Sequence, residues 1–143
     1  MASRELKDEP KRVLEMRLEG RDQRIIVTAR GAVRELAREL GFGVVDQTRL
    51  ATAVSEIARN AVQYAGKGLV EFRVLEGERV GLEVVVSDEG PGIPDISRVL
   101  AGGYSTAQGF GRGISGARAL VDEFTLESTP GKGTRVRMRK WLP

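Results

Sequence analysis

The run Val84-Val85-Val86-Ser87-Asp88-Glu89-Gly90-Pro91-Gly92-Ile93 constrains this chain more than any other stretch. Three consecutive valines do not alternate between core and solvent, so they read as a strand buried on both faces. The strand then ends in an acidic pair followed by Gly-Pro-Gly, which stops it. A carboxylate at the end of a buried strand, beside glycines that let a ligand approach the backbone, is one way for a sheet to present a base-recognition site. Asp88 can accept a hydrogen bond from the exocyclic amine of adenine. Gly92, without a Cβ, leaves room for a flat ring against the main chain. In this stretch alone, an ordinary polar turn after a strand would look the same.

At 143 residues the chain suffices for one domain with a substantial core. The charged, aperiodic segment 1–12 is expected to be a flexible terminus, and 13–143 a single domain. Cysteine and histidine are both absent. That removes disulfide and thiolate chemistry, phosphohistidine formation on this chain, Ser–His pairs and the commonest metal ligand. No apolar run is long enough to span a membrane and no signal-peptide pattern opens the chain, so a cytoplasmic protein without membrane partners is expected. The net charge of +3 comes from 23 basic and 20 acidic residues that are interleaved, and aromatics are 5%. Nucleic-acid binders cluster basic residues on one face, so no nucleic-acid partner is expected. Arg135, Arg137 and Arg139, on alternating strand positions, read as a solvated face.

The remaining periodicities order the elements. Val13–Glu19 alternates as a strand, Gly20-Arg21-Asp22 turns, and Arg24–Val27 reads as a second short strand. Thr28 is placed to cap a helix through about Leu40, closed by Gly41. Asp46 is placed to cap the next helix, whose apolar stripe of Leu50, Ala53, Val54, Ile57, Ala58, Ala61 and Val62 runs to about Ala65. Gly66 stops it. Leu69–Leu75 and Val80–Ser87 form a hairpin, and Pro94 opens a short helix over Asp95–Leu100. Ala101–Arg112 reads as a mobile loop, Gly113–Asp122 as a helix, and Phe124–Ser128 and Thr134–Trp141 as a closing hairpin. The expected fold is α+β: a two-layer sandwich with a mixed, largely antiparallel sheet and helices on one face.

Glu56 and Asn60 lie four apart on the second long helix and so share a face. Asparagine is a poor helix-interior residue, and one mid-helix beside an apolar stripe calls for a reason. Its carbonyl oxygen suits Mg²⁺, a hard cation that takes oxygen ligands. Glu56, one turn earlier, is placed to orient or deprotonate a nucleophile. A solvated Glu and a helix-bounding Asn are the plain alternative. Gly109-Phe110-Gly111-Arg112-Gly113 leads into a helix start, where backbone N–H groups and the helix dipole favour an anion such as phosphate. A flexible linker is the alternative there, and the pattern is neither a Rossmann nor a P-loop motif. Gly131-Lys132-Gly133-Thr134 is a hairpin turn, or a turn whose Thr134 hydroxyl joins Asp88 at the adenine edge.

Taken in order, Glu56-x3-Asn60, Asp88-x-Gly90-x-Gly92, Gly109-x-Gly111-x-Gly113 and Gly131-x-Gly133-Thr134 resemble the asparagine box and three glycine boxes of the gyrase, Hsp90, histidine-kinase and MutL (GHKL) ATPase superfamily. The match spans about Leu50 to Val136. Within it, residues 39–43, 55–60, 64–68, 88–96 and 140–142 are similar to the small serine/threonine kinases that phosphorylate anti-sigma-antagonist proteins, in particular the switch kinases of the bacterial stressosome.

The resemblance implies a Bergerat ATP-binding fold using ATP and Mg²⁺. Glu56 would be the general base on the substrate hydroxyl, and Asn60 would hold Mg²⁺. Asp88, Gly90, Gly92, Ile93 and Thr134 would bind the adenine end. Ser105, Thr106, Gly109, Phe110, Gly111 and Gly113 would surround the phosphates, with Arg112 contacting the γ-phosphate. The implied activity is transfer of the ATP γ-phosphoryl to Ser or Thr of STAS-domain stressosome scaffold or antagonist proteins. The freed kinase would then activate a downstream phosphatase or related signalling protein. No transducer domain follows the site before Pro143, so a free-standing kinase is expected rather than a gyrase- or MutL-type machine. Two alternatives stand beside it: an anti-sigma factor that also sequesters a sigma subunit, and a nucleotide-binding interaction module with negligible turnover.

Overall fold

The computed structural model describes residues 10–20, 23–96, 100 and 110–143. Its elements are β1 (Lys11–Glu19), α1 (Gln23–Leu40), α2 (Val44–Ala65), β2 (Lys67–Leu75), β3 (Gly81–Asp88), α3 (Phe110–Leu120), β4 (Glu123–Thr129) and β5 (Gly133–Trp141). The five strands form one sheet in the order β1-β2-β3-β5-β4. Every pairing in it is antiparallel, with no parallel admixture among the described residues.

Helix α2 lies across the sheet and touches β1, β2, β3, β5, α1 and α3. Its buried face carries Leu50, Val54, Ile57, Ala58, Ala61 and Val62. These pack on the inward side chains of the sheet: Leu18, Val70, Phe72, Leu82, Val84, Val86, Val136 and Met138. The valine run is buried on both faces as its composition requires, Val84, Val85 and Val86 being at most 2% exposed. The same alternation carries Glu83 to the side away from this core. There it is fully buried: Arg139 Nε donates to its Oε1 at 2.7 Å and Arg73 Nη1 to its Oε2 at 3.4 Å. Arg137 Nε stands 3.7 Å away. The arginines expected to form a solvated face therefore include two, Arg137 and Arg139, that are drawn down onto a buried carboxylate.

Four element boundaries differ from expectation. Arg24–Val27 is not a strand but the first turns of α1, because Ile26, Ala29, Val33 and Ala37 form one continuous buried stripe at helical spacing. Thr28 is consequently no cap; its hydroxyl donates back to the Arg24 carbonyl at 2.9 Å within the helix. Asp46 is no cap either. Gly43 occupies that position with no side-chain bond, and Asp46 sits in the first turn of α2, where its charge complements the helix dipole. α3 begins at Phe110 rather than Gly113, and β1 begins at Lys11, inside the segment expected to be loose. At the other end of α2, Gly66 closes the helix as expected, in the left-handed conformation with its N–H on Val62 O.

Candidate functional site

The C-terminal half of α2 and the end of β3 meet at a cavity. Asp88 is the last residue of β3, opposite Thr134 of β5 in the ladder. Ile57, Val86, Ile114 and Val136 give the cavity apolar walls, and Asn60, Asp88 and Thr134 place polar groups in them. An apolar slot with a few convergent polar groups is the usual form of a small-molecule site. Its volume is about 30 Å³, room for a water molecule or two. Burial raises the pKa of Asp88, and the backbone N–H groups of Gly90 and Thr134 act against that rise. The Gly90 N–H donates to Asp88 Oδ1 at 2.9 Å. Asp88 is thus a half-buried acceptor held in place by the main chain.

The glycines around Asp88 are required by close backbone packing. A Cβ on Gly90 would lie 2.6 Å from Ala65 Cβ at the end of α2. Gly92 has φ +78°, and a Cβ there would lie 2.5 Å from Thr129 O in the β4–β5 turn. Gly131 donates to Pro91 O across the same gap at 2.8 Å. The loop after β3 and the β4–β5 turn therefore clasp one another. Ser128 completes the clasp, a role sequence reasoning did not give it. Its hydroxyl accepts from the Ile93 N–H at 2.7 Å, donates to the Gly133 carbonyl at 3.1 Å and lies 3.0 Å from Thr134 Oγ1.

Glu56 and Asn60 share the face of α2 turned toward Gly113 in the first turns of α3. A Cβ on Gly113 would lie 3.2 Å from Asn60 Nδ2 and 3.3 Å from Glu56 Oε2, so glycine keeps open the space these two groups face. Asn60 Nδ2 is buried without a partner among the described residues, and a buried polar group left unpaired costs about 1–3 kcal/mol. That cost points to a ligand. Turning the amide by 180° exchanges Oδ1 for Nδ2 at one position, so the site can present an oxygen to a cation.

The structure thus brings together Glu56, Asn60, Asp88, Gly90, Gly92, Ile93, Gly113 and Thr134. Ser105, Thr106 and Gly109 lie outside the described residues, as does most of the expected loop over 101–112. Phe110, Gly111 and Arg112 open α3. Arg59 is a second residue that sequence reasoning passed over. Its Nη1 donates to Glu56 Oε1 at 2.9 Å, and the i, i+3 spacing of opposite charges was the available signal.

The fold and this site define a class. Residues 45–143 match the family described as histidine kinase-, DNA gyrase B-, and HSP90-like ATPases, and the chain belongs to that family. More particularly, it is 49% identical over 118 residues to the serine/threonine-protein kinase RsbT of Bacillus subtilis (strain 168), covering 82% of this chain and 89% of that protein. It is 34% identical over 121 residues to the anti-sigma F factor of Thermoanaerobacter sp. (strain X514), covering 80% and 83%. These similarities place the chain among the family's ATP-dependent serine/threonine kinases. Among solved structures, the RsbU and RsbW domains of a Mycobacterium tuberculosis protein share the fold, with TM-score 0.59 and 19% identity over 92% of this chain. This chain spans about a third (34%) of that one.

Proposed function

We propose that this chain transfers the γ-phosphoryl group of ATP to a serine or threonine hydroxyl of STAS-domain proteins in a cytoplasmic partner switch. The observation that carries the chemistry is the grouping around Gly113: Glu56 Oε2 and Asn60, whose buried Nδ2 has no partner among the described residues, one helical turn apart and next to the cavity holding Asp88. Asp88 accepts from the adenine amine, and Gly92, Ile93 and Thr134 frame the ring. Asn60 fits Mg²⁺ through its amide oxygen; bound there, the cation would neutralise charge developing on the transferred group. Glu56 orients the acceptor hydroxyl and takes its proton.

The 49% identity to RsbT supports stressosome scaffold or antagonist proteins as acceptors. Phosphorylation would release the kinase to activate a downstream phosphatase or related signalling protein. No helix among the described residues is long and apolar enough to cross a membrane. The test is to incubate the protein with candidate STAS-domain proteins and Mg-ATP and record intact masses. One added phosphate on a STAS protein is expected. ATP binding without transfer to any of them would leave only a nucleotide-binding interaction module. The 34% identity to an anti-sigma F factor favours one second reading, a kinase that also holds a sigma subunit. Copurification with sigma would establish it.

A further inference from the structure

Resting on this kinase reading, we infer that Arg59 is a positioning residue for Glu56: it pins one carboxylate oxygen and leaves the other facing the reaction space. The two oxygens of Glu56 have different neighbours. Oε1 accepts from Arg59 Nη1 at 2.9 Å. Oε2 is the oxygen that a Cβ on Gly113 would approach to 3.3 Å, beside Asn60. The carboxylate is therefore held by its outer oxygen and presents its inner one.

Stability does not explain the pair. The two side chains are 42% and 37% exposed, and exposed ion pairs at this spacing contribute about 0–1 kcal/mol. Electrostatics at the site supply a reason. A carboxylate beside a bound triphosphate faces strong like-charge repulsion, which favours rotation of Glu56 out toward solvent. A guanidinium one turn along the same helix offsets that repulsion and restricts the rotation. Its rigid fork fixes the oxygen's direction, which a flexible ammonium does less well.

The experiment is a double-mutant cycle with Arg59→Ala, Arg59→Lys, Glu56→Gln and Arg59→Ala/Glu56→Gln. Single-turnover transfer from Mg-ATP to a STAS-domain acceptor and intrinsic ATP hydrolysis are both measured, alongside calorimetric Mg-ATP affinity and melting temperature. Arg59→Ala is expected to slow both reactions 10- to 100-fold, the scale of a misplaced catalytic group. Mg-ATP affinity, melting temperature and the KM for the acceptor should stay near wild type. Arg59→Lys should recover part of the rate. On the Glu56→Gln background the same substitution should change the rate less than about twofold, because the coupled pair is already broken.

An unchanged rate in Arg59→Ala, a full penalty on the Glu56→Gln background, or a change confined to the acceptor's KM would each overturn the inference. Coupled loss in hydrolysis with no transfer to any acceptor would sustain it while rejecting the protein-kinase reading. Neither reaction in the wild-type protein would reject both.

Discussion

Gly131 and Gly133 sit two residues apart in the β4–β5 turn, both at positive φ, and replacing each with alanine should have unequal effects. Gly131 has φ +79° with open space where a Cβ would stand. Gly131→Ala therefore carries only the left-handed backbone cost, about 1–2 kcal/mol. Gly133 has φ +132°, and its Cβ would stand 2.9 Å from both the Asp88 carbonyl carbon and Glu89 Cα, and closer still to the Asp88 carbonyl oxygen. All three are main-chain atoms, so no side-chain rotation relieves the overlap. Backbone strain of about 1–3 kcal/mol adds to overpacking of about 1–3 kcal/mol. For a chain of this size, each kcal/mol lowers the melting temperature by about 2–4 °C. Gly133→Ala should thus melt about 5 °C or more below wild type, and below Gly131→Ala. The relief has to come from moving the end of β3 away from β5, which carries Asp88 with it. Loss of that acceptor geometry costs about 1–3 kcal/mol, or about 5- to 150-fold in ATP affinity. Thermal melts and calorimetry on both variants check this. Equal melting temperatures, with Mg-ATP bound by Gly133→Ala as tightly as by wild type, would refute the clasp as the device that places Asp88.

Asp88→Asn should abolish or severely weaken ATP binding, and wild type should prefer ATP over GTP by about 5- to 150-fold, the cost of one unpaired buried acceptor; equal affinities by calorimetry would reject the adenine assignment. Burial raises the pKa of Asp88 in the folded protein, so the native state binds its proton more tightly, and this group costs stability as pH rises through the interval up to the raised value. Melts of unliganded Asp88→Asn should therefore show equal or greater stability than wild type at neutral pH, the difference vanishing in acid. Glu83→Ala leaves Arg73 and Arg139 without their buried partner and should cost roughly 3–5 kcal/mol, read by urea denaturation; a change under about 1 kcal/mol would show that the surrounding arginines relax into water instead.

Much of the candidate site's placement was legible because its residues lie on regular elements. Glu56 and Asn60 are four apart on an unambiguous helix, and Asp88 ends a strand whose three valines admit no other placement. The misreadings came where local and tertiary signals compete. Ile25-Ile26-Val27 is β-branched and reads as a strand, yet Ile26 continues the stripe of Ala29 and Val33, and burial of that stripe decides for helix. Strand order was not legible: alternation shows which side chains face the core but not that β5 inserts between β3 and β4. Alternation also assigns Arg137 and Arg139 to a solvated face, because it is blind to the buried Glu83 carboxylate beneath their stems. Ser128 carries no periodic signal, since its importance lies in a loop 35 residues away in sequence.

The central claim is that Glu56 and Asn60 share a helix face with different duties, and one paired measurement tests it most directly. Single-turnover phosphoryl transfer to a STAS-domain acceptor is recorded for Glu56→Gln and Asn60→Ala, with Mg-ATP affinity measured in parallel. Glu56→Gln should bind Mg-ATP nearly as wild type and transfer about 10²- to 10⁴-fold more slowly, towards the lower end because the transition state is largely dissociative. Asn60→Ala should lose binding and transfer together. Transfer by Glu56→Gln at the wild-type rate would contradict the account.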